Sequence, residues 1–198
     1  MKTEERNRLS RRSFIRQATA VAAFAVVPRH VLGGPGRTAP SEKLNIACIG
    51  IGGQGASDIQ SVSSENIVAL CDVDWGTHTA KTFEKFPAAK KYKDFRKMLD
   101  AEDKNIEAVT VSTPDNIHAV AAMAAIKRGK HVYCEKPLAH DIFEVRQLTE
   151  AARQHKVMTQ MGIQVHAESC VRLVAEMIKS GAIGQVRKVD LWSGKNWG

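Results

Sequence analysis

The stretch Leu44-Asn45-Ile46-Ala47-Cys48-Ile49-Gly50-Ile51-Gly52-Gly53-Gln54-Gly55 decides the fold. Its first half is a short, unbroken apolar run, the pattern of a strand buried on both faces. Its second half is G-x-G-x-x-G at Gly50, Gly52 and Gly55, and an acid, Asp72, stands 22 residues beyond Gly50. Between a strand and a helix, that spacing is a dinucleotide-binding fingerprint. Gly50 permits the tight turn, Gly52 lets the backbone approach a pyrophosphate, and Gly55 lets the helix pack on the strand. The helix that opens here offers free N–H groups and a partial positive charge to the phosphates. Ile51, Gly53 and Gln54 complete the same cradle.

Outward from this stretch, strand and helix patterns alternate. Strands are expected over 44–49, 67–71, 108–111, 131–134 and 157–161, with a short extended piece at 90–92. Helices are expected over 53–62, 76–86, 94–101, 115–128, 141–155 and 168–180, two of them ended by Gly129 and Gly181. A last strand is expected over 186–192. The fold class is therefore α/β, a Rossmann-type doubly wound parallel sheet that stops at the start of a second, α+β domain. Right-handed crossovers put all the strand C-terminal ends on one edge, where ligands bind.

On that edge, Asp72 is placed to accept the ribose hydroxyls of an adenosine. A 2′-phosphate there meets like charge from Asp72 and Asp74, and no Lys or Arg lies between Asp72 and Lys81. NAD is accordingly expected rather than NADP. Trp75 lies against the adenine or simply packs. The fourth strand ends in Ser112-Thr113-Pro114-Asp115-Asn116-Ile117-His118. Thr113 and Pro114 suit a helix start, while Ser112, Thr113, Pro114, Asn116 and His118 are also candidates to line the nicotinamide side. Gln164 and His166, after the sixth strand, are further candidate ligand contacts.

The charge of +8 invites a nucleic-acid reading, but its location answers that. Residues 1–40 carry eight Lys or Arg against two acids, and the remaining chain is nearly balanced. No basic stripe with interleaved aromatics appears in the body, so nucleic acid is not the expected partner. The basic segment Ser10-Arg11-Arg12-Ser13-Phe14-Ile15-Arg16 precedes an apolar run over 18–27 that is too short for stable membrane insertion. It resembles a twin-arginine export signal, with small residues at Val31-Leu32-Gly33 for cleavage. The expected organisation is a signal over 1–33, a linker over 34–42, an NAD-binding domain over 43–165, and the beginning of a substrate domain over 166–198. The expected location is the periplasm or another exported site, reached through the twin-arginine machinery. The four cysteines, Cys48, Cys71, Cys134 and Cys170, form no C-x-x-C, so no metal site is expected and they read as isolated core thiols.

The fifth strand runs into Gly129-Lys130-His131-Val132-Tyr133-Cys134-Glu135-Lys136-Pro137-Leu138-Ala139. With the glycine loop, Cys71-Asp72-Val73-Asp74 and the 112–118 segment in this order, the chain resembles the glucose–fructose oxidoreductase / inositol dehydrogenase / MocA family over about 43–198. The resemblance implies an NAD-dependent oxidoreductase that transfers hydride from a secondary alcohol of a sugar, cyclitol or related polyol. It implies that Lys136 contacts substrate and nicotinamide as the catalytic residue, that Glu135 lies beside the cofactor, and that the peptide before Pro137 is cis. A partly desolvated ammonium at a strand end would stabilise the alkoxide-like charge that develops as hydride leaves. Family members carry a second domain with an Asp and a His that complete the acid–base apparatus, on a D-x-x-x-H helix expected further on than the last strand at 186–192. Two other readings stand beside this one: an NAD-dependent glycosidase of the same superfamily, and a non-catalytic NAD-binding fragment. A homo-oligomer is compatible with the full-length form.

Overall fold

A computed structural model describes residues 38–39 and 42–192. The expected signal over 1–33 lies outside these residues. Of the expected linker only Thr38, Ala39 and Glu42 are described, and Ala39 is buried with its N–H donated to the Glu42 carboxylate at 3.3 Å.

One parallel sheet organises the chain. Its strands are β1 (Asn45–Ile49), β2 (Asn66–Cys71), β3 (Lys90–Tyr92), β4 (Ala108–Val111), β5 (His131–Glu135) and β6 (Thr159–Gly162). Their order in the sheet is β3-β2-β1-β4-β5-β6, every neighbouring pair parallel. The chain thus builds outward from β1 to β3, returns, and builds the other way from β4 to β6. The reversal falls between β1 and β4, where their C-terminal ends part and leave a crevice.

Alternation along β1 explains the double winding. Ile46 and Cys48 point to one face, where Ile51, Ile59, Leu70 and Phe83 join them. Ala47 and Ile49 point to the other, among Met98, Leu99, Val109, Val111 and Ile126. The first face is covered by α1 (Gln54–Ser61) and α2 (Thr77–Lys85). The second is covered by α3 (Phe95–Ala101), α4 (Asp115–Ile126) and α5 (Ile142–His155). Each large aliphatic side chain removed from water in these layers contributes about 1.5–3 kcal/mol.

Local chemistry sets the helix ends. The Asp94 carboxylate accepts the Arg96 amide at 2.9 Å and opens α3. At α5, Asp141 accepts from the Glu144 amide at 2.8 Å, and Glu144 accepts from the His140 amide at 3.0 Å, a reciprocal arrangement close to a capping box. Gly129, at φ 73°, turns the chain out of α4. α4 stops at Ile126, two residues short of the expected end, because the chain tightens into a turn before that glycine.

After β6 the structure departs from expectation. Residues 164–167, for which no element was expected, form one helical turn, α6 (Gln164–Ala167). α7 (Ser169–Lys179) follows as expected, but none of its side chains is buried. The strand expected over 186–192 is absent: no strand is assigned there. Val189, Leu191 and Trp192 are 79%, 95% and 84% exposed. A strand needs a neighbour for its N–H and C=O groups, and no described residue pairs with this segment. Among the described residues no helix is long and apolar enough to cross a membrane.

Candidate functional site: a crevice at the strand ends

The crevice holds a cavity of about 680 Å³ bordered by Ile49, Gly50, Gly52, Gly53, Asp72 and Thr113, among others. Its floor is the glycine loop, and the loop's shape follows from what side chains would strike. A Cβ on Gly50, which sits at φ 79°, would lie 2.5 Å from the Ser112 carbonyl oxygen. A Cβ on Gly55 would collide with the Gly50 carbonyl, so α1 packs closely on the loop. Gly53, at φ 50°, faces open space. Gly52 differs, because a Cβ there would make only ordinary contacts with His78 and Thr79. The fold itself therefore does not require that glycine. α1 begins without a side-chain cap and without an acid in its first turn, leaving its amide end open to an anion.

The cradle residues divide. Gly50, Gly52 and Gly53 line the cavity. Ile51 is 0% exposed, so only its backbone serves the loop, and its N–H donates to Asp72 Oδ2 at 2.8 Å. Gln54 is exposed and turns its amide onto Asp58 at 2.9 Å.

At the β2 end, Asp72 is tied by backbone donors on both oxygens, from Ile51 and, at 3.0 Å, from Asp74. The Trp75 indole N–H donates to the Asp72 carbonyl at 2.9 Å, and the ring meets Phe83 edge-on at 5.5 Å, which gives Trp75 a packing role. Although no cation falls between Asp72 and Lys81 in sequence, two stand beside Asp72 in space. Lys93 and Arg96 also border the cavity. They are distant in sequence but adjacent in space, because β3 pairs with β2 in a register that sets Tyr92 opposite Cys71. Each already has a partner: Lys93 Nζ lies 5.1 Å over the Trp75 ring, and Arg96 pairs with Asp94 at 3.7 Å.

At the β4 end, Ser112, Thr113 and Pro114 border the cavity. Ser112 Oγ donates to Asp58 Oδ2 at 2.6 Å. Asn116 is exposed in the first turn of α4 and lies outside the cavity wall. His118, a candidate for the cofactor, is 1% exposed and does not line the cavity. Its Nδ1 lies 2.6 Å from the Pro137 carbonyl and its Nε2 2.7 Å from the Thr113 carbonyl. Its place is between two loops, which it holds together.

The β5 end carries Glu135, Lys136 and Pro137. The Lys136–Pro137 peptide is cis, and Lys136 is exposed at the strand's end. Glu135 is 4% exposed; it accepts from Tyr133 Oη at 3.3 Å, from the Lys136 amide at 3.3 Å, and from Gln164 Nε2. Gln164 is thus brought to the site as a partner of Glu135, whereas His166 is exposed two residues on. Burial, then the charges of Glu135 and Asp58, pushes the Tyr133 phenol up to about 12. Asp58 carried no signal in the sequence, since it lies mid-helix, and Tyr133 stands within the Gly129–Ala139 segment without a role read from it. Cys48, Cys71 and Cys134 are buried and free, and burial pushes each thiol up to about 12, whereas Cys170 is exposed.

The crevice fits a dinucleotide on its own features. An uncapped helix end meets the glycine loop, a carboxylate stands at the β2 end, and Thr113 Oγ1 is buried without any hydrogen-bond partner. A bound polar group would satisfy that hydroxyl.

Comparison with known proteins agrees. Inositol 2-dehydrogenase from Salmonella typhimurium is 31% identical over 147 residues, covering 72% of this chain and 43% of the relative. The crystal structure of a probable dehydrogenase from Thermotoga maritima superposes with a TM-score of 0.60 at 30% identity, over 71% of this chain and 42% of that one. That of myo-inositol 2-dehydrogenase from Lactobacillus plantarum does so with a TM-score of 0.64 at 25% identity, over 73% and 43%. The chain therefore spans under half the length of these relatives. Residues 44–163 match the oxidoreductase family with an NAD-binding Rossmann fold, and the chain belongs to this glucose–fructose oxidoreductase / inositol dehydrogenase / MocA family.

Proposed function

We propose that this chain is the cofactor-binding part of an NAD-dependent oxidoreductase acting on a secondary alcohol of a sugar or cyclitol. The crevice between the glycine loop and Asp72 carries the reading, and the inositol dehydrogenase relative supports the substrate class. A bound nicotinamide would supply the hydride acceptor. The chain's own residues would do the rest: the open end of α1 holds the phosphates, Asp72 accepts from ribose, and Lys136 holds the reacting oxygen. An ammonium there favours the negative charge that grows on that oxygen in the transition state.

NAD is favoured over its 2′-phosphorylated form. Asp72, Asp74 and Asp94 border the adenosine end, and the two cations beside them are already engaged. Titration of the chain with both reduced cofactors by fluorescence should show NADH binding more tightly. Equal affinity would mean that Lys93 or Arg96 turns to the phosphate.

In an active polypeptide carrying this domain, Lys136→Met should lower hydride transfer from cyclitols by roughly 100- to 1000-fold and leave cofactor affinity unchanged. A loss confined to cofactor affinity would make Lys136 a binding residue instead. For the leader we propose export by the twin-arginine route, supported by Ser10–Arg16. Replacing Arg11 and Arg12 by Lys should abolish periplasmic recovery on cell fractionation.

A further inference from the structure

Two buried acids carry no salt bridge among the described residues: Asp58, mid-way along α1 and bonded to Ser112 after β4, and Glu135 at the end of β5. Asp58 is 8% exposed and Glu135 4%. Their hydrogen-bond partners are neutral donors. Gln54 Nε2 and Ser112 Oγ serve Asp58. Tyr133 Oη, Gln164 Nε2 and the Lys136 amide serve Glu135. Burying a carboxylate with no opposite charge is costly, and such groups are ordinarily paired. Both charges are felt at one place, the Tyr133 phenol, which they raise in the same direction.

Their position relative to the crevice gives this arrangement a use. Asp72 and the glycine loop place the adenosine over β1–β3. A dinucleotide in this fold straddles the point where the strand order reverses, so its second nucleotide lies along β4–β6. Ser112, which Asp58 holds, ends β4, and Glu135 ends β5. The second nucleotide carries the nicotinamide, whose ring is cationic when oxidised and neutral when reduced.

Resting on the cofactor reading above, we infer that Asp58 and Glu135 set the oxidation state the protein prefers to hold, favouring oxidised NAD over NADH. A buried carboxylate attracts the pyridinium through protein rather than water, and it is indifferent to the neutral ring. The Lys136 ammonium, next to Glu135 in sequence, opposes this attraction. It is exposed, so water and salt screen it far more than they screen the buried pair. His118 is enclosed between two carbonyls and His166 is exposed. Asp72 and Asp74 stand at the adenosine, which is identical in both forms, and contribute equally to each. The preference loads the crevice with the form that accepts hydride, and by linkage it lowers the reduction potential of the bound cofactor, since the oxidised form is the one stabilised.

The test is a ratio of dissociation constants on the full chain, with NAD measured by calorimetry and NADH by fluorescence. Glu135→Gln should weaken NAD by about tenfold and leave NADH nearly unchanged, the order expected for removing one nearby charge at an effective dielectric of about 20. Asp58→Asn should move the ratio the same way by a smaller factor. Asp72→Asn is the control and should weaken both forms equally. A ratio that moves by less than about twofold in both Glu135→Gln and Asp58→Asn overturns the inference, as does equal weakening of both forms, which marks a purely structural role. If Glu135→Gln fails to fold by circular dichroism, Asp58→Asn decides alone. Should the unaltered chain bind neither form, the cofactor reading fails and takes the inference with it. Binding with an unmoved ratio removes the inference only.

Discussion

α4 and α7 are both apolar helices of similar length, and they meet opposite fates. α4 carries apolar residues nearly all round, and His118, Ala119, Ala121, Ala122, Ala125 and Ile126 are buried. α7 sorts its residues far better. Val171, Leu173, Val174, Met177 and Ile178 share one side, and Arg172, Glu176 and Lys179 the other. Yet none of α7 is buried. Amphipathic pattern says which face a helix would bury; only a neighbour decides whether it does. α4 has β4, β5 and α5 against it, whereas α7 touches chiefly the short α6. Alanines let α4 approach the sheet closely, so a helix with a poor pattern gains most from packing.

The comparison can be broken most sharply by hydrogen exchange. Amides of α4 should exchange roughly a thousandfold more slowly than those of α7, because their opening requires disruption of the core. Equal protection in the two helices would mean that something outside the described residues covers α7.

A smaller contrast should appear in stability. Ile126 is 1% exposed, and Ile126→Ala should cost about 3 kcal/mol in urea unfolding. Ile178 is 44% exposed, and Ile178→Ala should stay within about 0.5 kcal/mol. A large loss at Ile178 would again give α7 a partner.

The smallest effect lies in acid, on the corner that leads into the α4 layer. Glu102 accepts from Lys90 Nζ at 2.6 Å, Asn105 Nδ2 at 3.0 Å and Tyr92 Oη at 2.8 Å. Lys90 first, then Asn105 and Tyr92, lower its carboxyl from 4.5 to about 2. A group lowered on folding stabilises the folded state above its unfolded value. That contribution is therefore complete above about 4.5 and lost as pH falls through about 2. Lys90 is exposed, so screening limits the effect to about 1–2 kcal/mol. Glu102→Gln should lower the urea midpoint near neutrality, and the gap to the unaltered chain should close toward pH 2. A gap independent of pH would assign the loss to packing.

Much of the layout was legible beforehand because its signals are local. The apolar run 44–49, the glycines after it and the helix-ending Gly129 each act through neighbours in sequence, and their elements fall within a few residues of expectation. The segment 186–192 misled for the opposite reason. Its apolar residues suggest an extended segment but do not name a partner, and pairing is non-local. The site divides on the same line. Gly50, Gly52, Gly53, Asp72, Ser112, Thr113 and Pro114 were marked by motif and border the crevice. Asp58, Lys93 and Arg96 belong to no motif, and Tyr133 stands inside one without a role read from it. His118 was visible as a candidate, but its burial between two loops was not.

By itself, then, the sequence determined the alternation of strands and helices, the turn at Gly50–Gly55 and the acid at the end of β2. Backbone sterics and short-range hydrogen bonds suffice for all three. Only the tertiary structure decided that Tyr92 pairs opposite Cys71 and so brings Lys93 beside Asp72, and that Asp58 reaches Ser112 across 54 positions. It also decided that Glu135 is enclosed by Gln164 while α7 remains uncovered. Those outcomes depend on which surfaces meet once the sheet is wound, and burial, charge pairing and shared hydrogen bonds exist only after they do.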